Sequence, residues 1–124
     1  MTIQEALQKK VWAVLGATDK THKFGYKIYA HMKAAGYEVY PVNPRVETID
    51  GQVCYNSLTD LPVKPDVVDF VVPESAGLAA LDECLELGIQ TVWLQPGADT
   101  DAVVKKANDL GLAVIQDCVL VQVK

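Results

Sequence analysis

Apolar positions along the chain follow two alternating patterns. Five short runs are almost continuously apolar: Val11–Leu15 (VWAVL), Tyr37–Val42 (YEVYPV), Asp66–Val72 (DVVDFVV), Thr91–Leu94 (TVWL) and Leu112–Ile115 (LAVI). Runs of this length, rich in Val, predict strands buried on both faces. Between them apolar residues recur at helical spacing. Phe24, Ile28, Met32 and Ala35 predict a helix over Phe24–Ala35; Leu78, Leu81 and Leu85 predict one capped by Ser75; Val103, Ala107 and Leu110 predict one capped by Asp99 or Thr100. Gly36, Gly88 and Gly111 end these helices. Residues 2–9 predict a short helix, with Thr2 and Glu5 spaced as a capping box. The tail, Asp117–Lys124, alternates Val119, Val121 and Val123 with other residues and predicts a last extended segment.

The region from Arg45 to Pro65 is less regular. Asp50-Gly51 signals a turn, Val53-Cys54-Tyr55 a short extended piece, and Ser57–Leu61 one helical turn. Pro41 inside the second strand argues for a distortion or for the edge of the sheet.

Strands alternating with helices imply right-handed crossovers and an open, parallel five-stranded sheet with helices on both faces. Ligands of such α/β folds sit beyond the C-terminal strand ends, where the strand order reverses. Those ends are Gly16, Asn43-Pro44, Pro73 and Gln95-Pro96-Gly97. Gly16 directly follows the first strand and precedes the helix at Phe24. Strand, glycine turn and helix N-terminus form an anion site, because backbone N–H groups and the helix dipole face one place. A side chain at position 16 is expected to block a ligand while leaving the fold intact.

Charge changes this picture only in its distribution. The 124-residue chain is one domain in size and carries a net charge of −5, which disfavours a nucleic-acid partner. Residues 1–46, however, hold seven basic and three acidic side chains, against four and thirteen in the remainder. An anionic ligand is drawn to the first part, within the ~8 Å that physiological salt allows. No apolar run reaches the ~18 residues of a membrane span, and the N-terminus lacks a signal peptide's apolar stretch, so a cytoplasmic protein without membrane contact is expected. Three widely spaced cysteines, Cys54, Cys84 and Cys118, argue against a disulfide framework or a zinc site.

The dinucleotide fingerprint Gly-x-Gly-x-x-Gly fits poorly. After Gly16 the next glycine is Gly25, and the second strand ends in Val42-Asn43-Pro44-Arg45 without the acid that takes ribose hydroxyls. The ATPase phosphate loop is absent. Arg45 favours a phosphorylated ribose over a bare diol, since a guanidinium pairs with phosphate through two parallel hydrogen bonds.

In these segments the chain resembles the stand-alone CoA-binding proteins, which share their fold with the N-terminal domain of the succinyl-CoA synthetase alpha subunit. The matching stretches are VLGAT (14–18), KFG (23–25), GYEVYPVNP (36–44), DGQVCYNSLTDLP (50–62), DFVVP (69–73), VWLQPGA (92–98) and DCV (117–119). The resemblance implies a Rossmann-like fold and coenzyme A or an acyl-CoA as ligand. It implies that the backbone of Gly16, Ala17 and Thr18 holds the pyrophosphate. Val42, Asn43, Pro44 and Arg45 would flank the adenine and the phosphorylated ribose. Val72 and Pro73 would form a wall, and Leu94, Gln95 and Pro96 would lie along the pantetheine arm. Lys20 and Lys23 would add positive charge near the phosphates. The synthetase's second domain, with its phosphorylated histidine, is missing, so the binding site is implied and the synthetase reaction is not.

The remaining residues have ordinary readings. Trp12 and Trp93 are expected in the core, Cys54 and Cys84 as small apolar fillers, and His22 and His31 at the surface. Glu74, Asp99 and Asp101 favour helix dipoles. Cys118 follows the last sheet strand, where a thiolate would be placed to exchange with the thiol end of CoA. No catalytic residue set and no metal site are evident. Two rival readings stand beside the binding protein: an NAD(P)-type or acyl-transfer enzyme completed by another subunit, and a regulatory module that binds a protein. A homo-oligomer or a partner subunit is compatible with each.

Overall fold

A computed structural model describes all residues from Met1 to Lys124. The five apolar runs form one parallel sheet of β1 (Val11–Leu15), β2 (Glu38–Val42), β5 (Val67–Phe70), β6 (Thr91–Leu94) and β7 (Ala113–Gln116). Its order is β2-β1-β5-β6-β7. The chain steps outward from β1 to β2, then crosses back to β5, so the order reverses between β1 and β5. This is a Rossmann-like arrangement, with its ligand crevice expected above those two strands.

The sheet sorts side chains by alternation. Trp12, Val14, Val67, Trp93 and Ile115 point to one face, which is covered by α1 (Ile3–Leu7), α2 (Phe24–Ala34) and α5 (Val119–Gln122). Ala13, Val68, Phe70, Val92 and Leu94 point to the other, covered by α3 (Glu74–Leu87), α4 (Asp101–Asp109) and a 3₁₀ turn at Leu58–Asp60. Trp12 and Trp93 are fully buried with ring centroids 5.6 Å apart, a contact worth about 0.5–1.5 kcal/mol beyond area burial. Thr2 and Glu5 close the capping box on α1.

Pro41 sits on the outermost strand. Its carbonyl and the Asn43 N–H face away from β1 and are taken by Tyr55, at 2.9 and 2.8 Å. A missing N–H on that outer side costs β2 no bond to its neighbour. The segment after β2 is more ordered than its sequence predicts. β3 (Thr48–Ile49) and β4 (Gln52–Val53) pair antiparallel around Asp50 and Gly51, both at positive φ, as a two-residue hairpin loop requires.

Four expectations are corrected. Helix α3 begins at Glu74 with Pro73 as its N-cap, not at Ser75, because proline's preset φ suits the last residue before a helix. Its buried face is Gly77, Ala80, Leu81 and Cys84, leaving Leu85 half-exposed. The small residues are the ones that let α3 lie close to the sheet. The tail is helical, not extended: Val119 and Val123, four apart, are buried while Val121 is 60% exposed. His31 is half-buried, with Nε2 2.6 Å from the Val123 carbonyl oxygen, so it ties α2 to the tail.

Candidate functional site

The turn after β1 is built by close backbone contact. Gly16 has φ +96° and donates its N–H to Val42 O at 2.8 Å. A Cβ at Gly16 would lie 2.1 Å from Val71 O and 2.8 Å from Val72 Cγ1. The expectation that a side chain there spares the fold is therefore corrected: it meets the end of β5 before it meets any ligand. Gly25, in the first turn of α2, makes the second contact. Its missing Cβ would lie 2.3 Å from Gly16 O. Gly25 thus seats the helix start directly on the turn, a role the sequence reading missed. The available signal was a glycine one residue inside a predicted helix, where it is otherwise unfavourable.

Ala17 and Thr18 are held between these contacts and are 0% and 9% exposed. Neither N–H has a hydrogen-bond partner within the protein, and neither do those of Phe24 and Gly25. The N-cap of α2 is Lys23, which offers no side-chain cap, and its first turn carries no acid. Unpartnered N–H groups and a positive dipole end together suit an anion, with Asp19 the one acid of the Gly16–Lys23 loop.

The neighbouring rim follows β2. The Asn43 side chain donates from Nδ2 to Ala17 O at 2.9 Å and accepts the Arg45 N–H at 3.0 Å. Pro44 and Arg45 are exposed, and the Arg45 guanidinium makes no ion pair. Lys20 and Lys23 are likewise exposed and unpaired. Both ion pairs of the protein, Lys105–Asp109 and Lys106–Asp82, lie on α3 and α4. The basic side chains of the first third are left without acidic partners. Val42 is fully buried and presents no surface to the site; its carbonyl is taken by the Gly16 N–H.

On the other side of β1, a cleft of about 260 Å³ opens between Val71–Pro73 after β5 and Gln95–Ala98 after β6. Val72, Pro73, Gln95 and Pro96 line it. Leu94 does not, being fully buried in the core under α3 and α4. The buried Gln95 accepts the Val119 N–H at Oε1, 3.0 Å, and Trp93 Nε1 donates to Asp117 O at 2.7 Å. Together they hold Cys118, half-buried, at the start of α5 beside the C-terminal sheet edge.

Cys54 and Cys84 are buried, and burial pushes the Cys84 thiol up to about 12. No three His, Cys, Asp or Glu side chains are grouped to hold a metal ion. Asp69 stands apart. It is fully buried on β5, in register with Val14 and Trp93, and neither carboxylate oxygen has a partner. Burial alone pushes its carboxyl well above the usual range.

The structure thus gathers Gly16, Ala17, Thr18, Asn43, Pro44, Arg45, Val72, Pro73, Gln95 and Pro96 at one sheet edge. Known proteins are similar to this chain in fold or in sequence. A Thermus thermophilus protein, cell-free ID.343, superposes with a TM-score of 0.86 at 32% identity, covering 98% of this chain and 96% of that one. The uncharacterized protein YneT of Bacillus subtilis is 29% identical over 116 residues, 93% of this chain and 86% of its own length. The alpha subunit of ADP-forming acetate–CoA ligase II from Pyrococcus furiosus is 37% identical over 81 residues, 64% of this chain. That match spans only 18% of the ligase subunit. No helix is long and apolar enough to cross a membrane. Residues 10–124 match the CoA binding domain, and the chain belongs to that family.

Proposed function

We propose that this protein binds coenzyme A or an acyl-CoA non-covalently at the C-terminal edge of its sheet. The observation that carries the reading is that the Thr18 and Phe24 N–H groups, on either side of the Gly16–Gly25 contact, meet no acceptor within the protein. They would take the pyrophosphate. Arg45, exposed and in no ion pair, would take the phosphate on the ribose. The cleft between Val72-Pro73 and Gln95-Pro96 offers the pantetheine arm a mostly apolar path. The absence of an acid after β2 disfavours the dinucleotide reading, since nothing there accepts a ribose diol.

A thermal-shift panel of CoA, acetyl-CoA, NAD, NADP and ATP tests this. A ligand at a hundred times its dissociation constant adds ~2.7 kcal/mol to stability. Stabilisation by CoA or acetyl-CoA and by neither NAD nor ATP is expected. A response confined to NAD or NADP, or none at all, would overturn the reading.

The likeness to a ligase alpha subunit favours a second reading, in which the bound thioester serves chemistry performed on a partner subunit. Co-purification of a larger chain from the native host supports it; a protein recovered alone at native abundance opposes it.

A further inference from the structure

The resemblance gives Asn43 a place beside the adenine, but its side chain is occupied otherwise. Nδ2 donates to Ala17 O at 2.9 Å and Oδ1 accepts the Arg45 N–H at 3.0 Å. Its main chain is equally committed. The N–H donates to Tyr55 O at 2.8 Å, and the carbonyl accepts the Val46 N–H at 3.3 Å and the Cys54 thiol at 3.7 Å. One residue therefore ties together the turn after β1, the turn after β2 and the strand-like pairing of Tyr55.

The bond to Ala17 O has a directional consequence. The peptide joining Ala17 to Thr18 is planar and trans, so its C=O and N–H point in opposite directions. Gripping the carbonyl aims the Thr18 N–H, which has no protein partner, away from Asn43. The bond to the Arg45 N–H closes the turn that sets where Arg45 leaves the chain. A single short side chain thereby fixes the direction of a donor on one rim relative to a guanidinium on the other.

We propose that Asn43 is a positioning residue that joins the two anion-holding turns, so that the site reads as one unit a nucleotide bearing a diphosphate at one ribose position and a further phosphate at another. This rests on the CoA reading above. Asn43 would act without touching the ligand.

Calorimetric titration of CoA and dephospho-CoA into the native protein, Asn43→Ser, Asn43→Ala and Arg45→Ala tests it, with melting curves confirming that each variant folds. Serine retains an acceptor for the Arg45 N–H but is too short to reach Ala17 O. Asn43→Ser should bind both ligands about tenfold more weakly, as expected for one lost hydrogen bond at an anion site, and keep the native ratio between them. Asn43→Ala loses both ties, and its ratio should fall toward that of Arg45→Ala. Native affinity in Asn43→Ser overturns the proposal, as does an undiminished ratio in Asn43→Ala, which is what a merely destabilising change produces. Should Asn43→Ala not fold, native affinity in Asn43→Ser still overturns the proposal. If the native protein binds neither compound, the CoA reading itself has failed, and the positioning role falls with it.

Discussion

The Cβ that Gly25 lacks would stand 2.3 Å from the carbonyl oxygen of Gly16. No side-chain carbon tolerates that distance, so helix α2 rests on the β1 turn only because residue 25 is glycine. Gly25→Ala must push the helix away from the turn or tilt the Gly16 peptide. A loss of about 1–3 kcal/mol is expected, as for other overpacked contacts, together with weaker CoA binding because the Ala17 and Thr18 N–H groups move. Urea unfolding and calorimetry on the same variant check both effects. A variant of native stability and native affinity would contradict the contact.

Arg45 is exposed and makes no ion pair. Arg45→Ala should leave the melting temperature unchanged. It should weaken CoA by about tenfold or more, in line with the ~1.5–3 kcal/mol of a hydrogen bond to a charged group. Dephospho-CoA should weaken far less. Equal losses for the two ligands would remove Arg45 from the ribose phosphate.

Asp69 makes stability depend on pH. Its carboxyl is fully buried without a partner, so burial favours the protonated form and lifts the folded pKa above the unfolded value near 3.8. At low pH both states carry the proton. As pH rises past the unfolded value, the unfolded chain releases its proton first and gains free energy that the folded chain cannot. Stability therefore falls with rising pH until the folded carboxyl also ionises. Asp69→Val suits the strand and removes the unpaired group. It should gain about 1–3 kcal/mol at neutral pH and flatten this part of the pH profile. Urea midpoints across the acid-to-neutral range measure it; an unstable variant, or an unchanged slope, would show that Asp69 is satisfied in solution.

The three thiols should differ in reactivity. Cys118 is half-buried at the sheet edge, whereas Cys54 and Cys84 are buried and burial raises both. Thiolate, not thiol, is the reactive form. Brief alkylation of the native protein should mark Cys118 first, read by peptide mass, and CoA should slow it if the pantetheine arm passes there. Labelling of Cys84 ahead of Cys118 would mean that the α3 face opens.

Local pattern alone located all five sheet strands to within a residue or two, the capping box of Thr2 and Glu5, and the left-handed stops at Gly36, Gly88 and Gly111. Those features depend on neighbours a few positions away, and their residue types carry the information directly. The turn at Gly16 and the cation at Arg45 were legible for the same reason. Other features were settled by partners far along the chain. The Val119–Val123 tail alternates like a strand, yet it coils because Gln95 and Trp93 anchor its start and the α2 face takes residues four apart. Gly25 reads as a weak helix residue until Gly16 O lies against it. Asn43 reads as a turn residue until Ala17 O and the Arg45 N–H occupy its two ends. Strand order did the rest: by setting β1 between β2 and β5, it brought chain ends dozens of residues apart into contact, a result of packing that no run of adjacent residues encodes.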